Sequence, residues 1–267
     1  MAFLKHITEL YHLHGDFGSL NPDPEHNLGI QHSLEVMALM DLRFMVIGRP
    51  GGPTMGIWKR FRASQDTWRQ GRLEGVETIS GIPRSLLDVF ADVFDQGRQG
   101  DRGAEAELWM WPGELGSFRE CQIWEAWRLA AVLNLRRWHS LPHVPMAKKS
   151  GRSRSSPTSA TREVILCRLL GCMNAVVQPG PKDRDQIVVS SLLYLLVAAG
   201  LEVTLLRAHP EWKALLDSFS GQLIEQGPKK PSIRALVDIL KDARESGSDG
   251  YDIDAAARSR GVEIALF

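Results

Sequence analysis

Apolar residues occupy nearly every face of HSLEVMALMDLRFMVIG from Leu34 to Ile47, a pattern that predicts a helix buried all round. Pro50 disfavours helical geometry at Arg49, and Gly51 and Gly52 add backbone entropy, so GRPGGP predicts a turn or short loop. In GIPRSLLDVFADVFDQG, Pro83 suits a first helical turn, and Leu86, Leu87, Phe90, Val93 and Phe94 form one apolar stripe. This predicts an amphipathic helix ending at Gly97. Between Gln96 and Gly116 the chain is rich in glycine and charge around Trp109, Trp111 and Pro112, which predicts a surface excursion folding its rings back onto the body.

Ser117 and Glu120 stand at capping-box spacing, where hydroxyl and carboxylate satisfy the exposed amides of a helix start. Beyond them Trp124, Trp127, Ala131, Leu135 and Trp138 recur at helical spacing while Gln122, Glu125, Arg136 and Arg137 face elsewhere, so a long helix is expected to about His139. The segment from Leu141 to Ala160 holds three prolines, five serines and four basic residues, and reads as a flexible linker. Helical patterns resume over Thr161 to Val177, Gln186 to Leu206, Pro210 to Leu223 and Ser232 to Ala243, with no strand-like alternation competing. A short helix over Ile253 to Arg258 precedes an apolar end at Ile264, Leu266 and Phe267 that is expected to dock on the body. The fold class predicted is all-α: one multi-helix globular domain over residues 32–267, after a lead-in over 1–31, with the linker at about 141–160 inside it. No repeat of fixed period supports a solenoid.

Composition changes little in this picture. Apolar residues at 43% are ordinary for a globular core. Lys plus Arg and Asp plus Glu number 32 each, so there is no global basic field to draw phosphate backbones. Ile187 to Leu201 is the most apolar stretch, shorter than the roughly 20 residues a membrane-spanning helix needs, and reads as a buried core helix; no membrane association is expected. Three cysteines and an N-terminus without signal-peptide character favour a reducing interior compartment.

Candidate chemistry is sparse. Zinc needs four thiolates or imidazoles within reach of one ion, commonly in closely spaced pairs. The one close pair, Cys167 and Cys172, lies roughly 140° apart around a helix of 3.6-residue turn. Small buried hydrophobes is the reading preferred for both. His12, His14, Asp16, His26 and His32 match no ligand motif and read as structural or solvent-exposed. No serine sits on a nucleophile elbow, Ser80-Gly81 belongs to a helix lead-in, and GRPGGPTMG lacks the Lys-Ser/Thr of a phosphate-binding loop. No catalytic residue, metal or cofactor is expected, and the chain is not read as an enzyme. The spacing of Trp124, Trp127 and Trp138 favours core packing over a ligand pocket, and Met37, Met40 and Met45 are read in the same way. Lys148, Lys149, Ser150, Arg152, Ser153 and Arg154 form a basic serine-rich cluster, read either as a solvated linker or as a nuclear-import or phosphorylation-regulated segment.

The segments HSLEVMALMDLRFMVIGRPGGPTMGIWKRFR, VETISGIPRSLLDVFADVFDQG, CQIWEAWRLAAVLNLRRWHSL, VVSSLLYLLVAAGLEV and DIDAAARSRGVEIALF, in this order, resemble the helical regulatory domain of fungal zinc-cluster transcription factors. The likeness runs from about His32 onward and weakens over Arg98 to Gly116 and over the basic linker. In that family a six-cysteine binuclear zinc cluster reads DNA and the helical domain modulates it, sometimes in response to small molecules or partner proteins. The three scattered cysteines here do not provide that cluster. The resemblance therefore implies a nuclear transcription-regulating domain acting through other regulators or self-association, with no direct sequence-specific DNA binding, or a piece of a longer factor. A small-molecule effector is compatible with it. A helical small-molecule or partner-binding module outside transcription is the alternative reading.

Overall fold

The computed structural model describes residues 28–42, 44–49, 56–65, 75–77, 79–94, 103–140, 160–177, 186–226 and 231–267. Their secondary structure is helical apart from one two-stranded antiparallel sheet and an isolated bridge between Val76 and Pro83.

The centre of the molecule is α5, Phe118–Ser140; before it come α1 (Leu28–Asp41), α2 (Ile57–Gln65), α3 (Arg84–Val93) and α4 (Gly103–Met110). The predicted capping box starts α5: Ser117 N–H donates to Glu120 Oε2 at 2.7 Å and Glu120 N–H to Ser117 Oγ at 3.3 Å. Hydrogen bonding by Ser117, its side chain first and then its backbone N–H, favours the charged form and holds the Glu120 carboxyl below the usual glutamate range. From Leu129 to Leu133 every residue of α5 is buried, because neighbours cover the helix all round. They include α6 (Arg162–Val177), packed along α5 most extensively, and α7 (Gln186–Gly200), in which all residues from Leu192 to Ala199 are buried. Next come α8 (Val203–Ala208), α9 (Pro210–Gln226), α10 (Pro231–Ser246) and α11 (Ile253–Ser259). In α10 the stripe Ile233, Leu236, Ile239, Leu240 and Ala243 faces the core at the three-and-four spacing of an amphipathic helix. Gly200 lets α7 and α10 approach closely, since a Cβ there would stand 3.2 Å from Leu240 Cδ2. The apolar tryptophan spacing is core packing at Trp124 and Trp127, and Trp127 stacks on Tyr194 of α7 with ring centroids 4.6 Å apart.

Four features depart from the sequence reading. The first helix ends at Asp41, and Val46–Ile47 forms strand β1, paired with β2 (Ile264–Ala265) in the register Val46↔Ala265 and Ile47↔Ile264. Phe44 turns the chain out of the helix at φ 67°, held by edge-on contacts to Phe94 at 4.9 Å and Trp138 at 5.8 Å. The apolar end does dock, as expected: Ile264 and Leu266 are buried and Leu266 N–H donates to Met45 O at 2.9 Å. Second, the helix of the Pro83 segment stops at Val93, short of Gly97, with Phe94 in a turn, and Pro83 flanks the first turn rather than entering it. Third, part of the excursion after Gln96 is itself a helix, α4, although Trp111 folds back into the core as predicted.

Fourth, the helix expected over Gln186 to Leu206 is two helices, broken at Leu201 and Glu202. Glu202 has φ −83° and ψ 57°, outside helical values, and its side chain turns inward. Residues 50–53 of the anticipated GRPGGP turn and residues 141–159 of the linker lie outside the described residues.

Candidate functional site

The break between α7 and α8 delivers a carboxylate into the protein interior. Glu202 is wholly buried, and three elements converge on it. Arg162, in the first turn of α6, places Nη2 at 2.5 Å from Glu202 Oε2 and at 3.3 Å from Asp249 Oδ2, in the α10–α11 connection. Arg137, from the last turns of α5, stands with Nη1 at 3.9 Å from Glu202 Oε1. Arg162 makes the close contact to Glu202, whereas Arg137 stands beyond hydrogen-bond distance and acts on it through charge alone. Asp249 serves two helices, since its Oδ1 also accepts Thr204 N–H at 2.8 Å and so caps the short α8.

A chain of polar contacts leads from this node into the aromatic core. Arg137 Nη2 donates to Asn134 Oδ1 at 2.5 Å, and Asn134 Nδ2 donates to Tyr194 Oη at 2.9 Å. Tyr194 in turn stacks on Trp127. The electrostatics follow from burial. Removal from water raises the Glu202 carboxyl above its ordinary range in spite of Arg162 and Arg137 beside it, and lowers the Arg137 guanidinium in spite of Glu202. Burial likewise raises the Tyr194 phenol, so it stays a neutral hydroxyl in this network.

A second buried pair lies in the α2–α3 region. Arg84 Nε meets Glu77 Oε1 at 2.5 Å, Gln65 Nε2 donates to that same oxygen at 3.2 Å, and Glu77 Oε2 has no hydrogen-bond partner among the described residues. Beside it, Arg62 grips Asp88 through Nε at 2.9 Å and Nη2 at 3.0 Å, and Trp58 Nε1 donates to the same carboxylate at 2.8 Å. This seam ties α2 to α3.

Lys148, Lys149, Ser150, Arg152, Ser153 and Arg154 lie outside the described residues, as do His12, His14, Asp16 and His26. His32 is exposed. Cys167 and Cys172 do not behave as the predicted buried pair: Cys167 is exposed and Cys172 half-buried, because α6 turns its Leu166, Leu169, Leu170 and Met173 stripe to the core instead. Among the described residues no group of three His, Cys, Asp or Glu side chains is placed to hold a metal ion. No helix among them is long and apolar enough to cross a membrane. Trp138 is half-buried, and Ser80 and Gly81 do lead into α3, with Gly81 O accepting the Trp124 indole N–H at 2.8 Å.

Arg137 is the residue the sequence reading misplaced, since it was set on the polar face of α5 with Arg136. Arg136 does face outward enough to pair with Glu105 of α4 and to donate to Ala160 O at 2.5 Å, whereas Arg137 turns into the node. The available signal was Glu202 itself, a lone acid between Leu201 and Val203 in an apolar run, which a helix can bury only beside a cation.

Comparison of the chain with family models, with curated proteins and with solved structures finds no match in any of the three.

Proposed function

We propose that this chain is a transcription-regulating helical domain of the kind found in fungal zinc-cluster factors, working through contacts with other regulators or with itself, without reading DNA. The observation that carries the reading is the ordered series of segments resembling that domain. Their described residues supply α1, α3, α5, α7 and α11, and residues from them join one hydrophobic core. Such packing makes one helical body of segments far apart in sequence. The buried node supports it further, because an ion-pair network linking α5, α6, α8 and the α10–α11 connection favours one arrangement of helices over alternatives.

Lys148, Lys149, Arg152 and Arg154 are assigned to nuclear import and the interleaved Ser150 and Ser153 to its modulation by phosphorylation, since phosphate would offset the local positive charge. Alanine at all four basic positions is expected to abolish nuclear accumulation of the tagged protein; unchanged accumulation rejects the assignment. The reading as a whole is tested by gel shift. The purified chain is expected to leave promoter DNA unshifted by itself and to supershift a complex already formed by a DNA-binding partner. Tight, sequence-specific binding by the chain alone contradicts it.

A further inference from the structure

Among the described residues the large apolar side chains left in solvent are Met110, Leu115, Phe118 and Val164, and three of these four stand where α4 leads into α5, over residues 110–118. Leu115 is 99% exposed, Phe118 77% and Met110 74%. The connection is nevertheless fastened to the body between them. Trp111 folds into the core and its Nε1 donates to Ser85 Oγ at 3.0 Å, while Ser85 Oγ donates to Glu114 Oε1 at 3.1 Å. Gly116 lies against Trp124, so closely that a Cβ would stand 2.4 Å from Cη2, and Ser117 and Glu120 close the capping box of α5. These anchors hold the backbone while Met110, Leu115 and Phe118 stay outside, at no gain to the fold.

An apolar surface held in place in this way has already met much of the ordering cost of binding. Its occupant follows from size and charge. A stable dimer interface buries about 800 Å² on each partner and draws on about 20–30 residues a side, so three side chains on one connection fall well short of what a second copy of this chain would need. Around them Glu107 in the last turn of α4, Glu114 and Glu120 outnumber Arg119, and the rim is acidic. Such a rim repels an anionic bilayer and attracts a cationic partner. A short amphipathic helix suits both features, with apolar residues at i, i+3, i+4 and i+7 to meet the three side chains and Lys or Arg beside them to meet the carboxylates.

We propose that the α4–α5 connection is the docking surface for a short basic amphipathic helix of another protein, resting on the reading above that the chain acts through protein contacts. Leu115 and Phe118 are its principal apolar contacts, Met110 flanks them, and Glu107, Glu114 and Glu120 form its charged rim. Docking of that helix needs no promoter, so its failure leaves the transcription reading to be judged by the gel shift, and failure of the gel shift leaves the docking surface to be judged by binding.

The test is fluorescence anisotropy of a labelled synthetic helix of leucine and lysine, with leucine at i, i+3, i+4 and i+7, titrated with the intact chain. Saturable binding is expected, weakened about tenfold in Leu115→Ser and further in the double variant with Phe118→Ser. Both side chains are exposed, so these changes leave the core untouched, and Val164→Ser, at an exposed apolar position on α6, is expected to bind as the intact chain does. Glutamate in place of the peptide lysines is expected to weaken binding about tenfold, and added salt to weaken the lysine peptide. No saturable binding, equal binding by the double variant, or equal affinity for the lysine and glutamate peptides overturns the proposal. So does a dimer in sedimentation that Leu115→Ser dissociates, which gives the surface to a second copy, or binding to phosphatidylcholine vesicles that Leu115→Ser abolishes, which gives it to a bilayer.

Discussion

Glu202 combines two costs that usually exclude each other: a carboxylate stripped of water, and a break in the most apolar helical run of the chain. It persists because Arg162 and Arg137 stand against it, and each of those is itself partly or largely withdrawn from solvent. Truncation to Glu202→Ala leaves Arg137 without its facing carboxylate and is expected to cost about 3–5 kcal/mol of unfolding free energy, read from urea denaturation. Glu202→Gln keeps the shape and an acceptor oxygen, and is expected to cost less than the alanine change. The pH dependence of stability gives a second readout. Burial raises the Glu202 carboxyl in the folded state, so the native protein binds that proton more tightly than the unfolded chain does. Its contribution to stability is accordingly greatest in acid and falls as pH rises above the ordinary glutamate range. Glu202→Gln, which resembles the protonated form, should remove that part of the slope; an unchanged slope would show that Glu202 does not titrate in this way.

The clasp between the two ends of the described chain depends on Gly48. Its φ of 80° places it in the left-handed region, and a Cβ would lie 2.2 Å from Val262 O and 2.8 Å from Ala257 Cβ. Its amide donates to Asp254 Oδ1 at 2.8 Å, and Arg49 beside it pairs with Glu263 at 3.5 Å. Gly48→Ala is expected to destabilise by about 1–3 kcal/mol and to release Leu266 N–H from Met45 O, seen as lost exchange protection at that amide. Elements of this kind mark the boundary of what sequence pattern reveals. The stripe of α3, the helical character of α6, α9 and α10, the capping box of α5 and the docking of the apolar end were legible because local periodicity and caps dictate them. The strand at Val46–Ile47 was not, since two residues fit a helix pattern equally well until a partner distant in sequence arrives. The break at Glu202 was hidden for the same reason, its cause being Arg162 forty residues earlier. The node was illegible as a set: Arg137 and Asp249 look like ordinary surface charges, and only the packing of α5, α6 and the α10–α11 turn brings them together.

At the scale of the whole molecule, helices drawn from both sides of the basic segment share one hydrophobic core, with α5 buried against α6 and α7 at its middle. A body of this kind presents a fixed outer surface, and fixed surfaces suit recognition by other proteins at low entropic cost. We propose that this surface acts on transcription when brought to a promoter. The most direct measurement is a reporter assay in which the chain is fused to an unrelated DNA-binding head and recruited to that head's sites. Reporter output is expected to rise or fall relative to the head alone. Output equal to that of the head alone, with the fusion folded, nuclear and equally abundant, would contradict it.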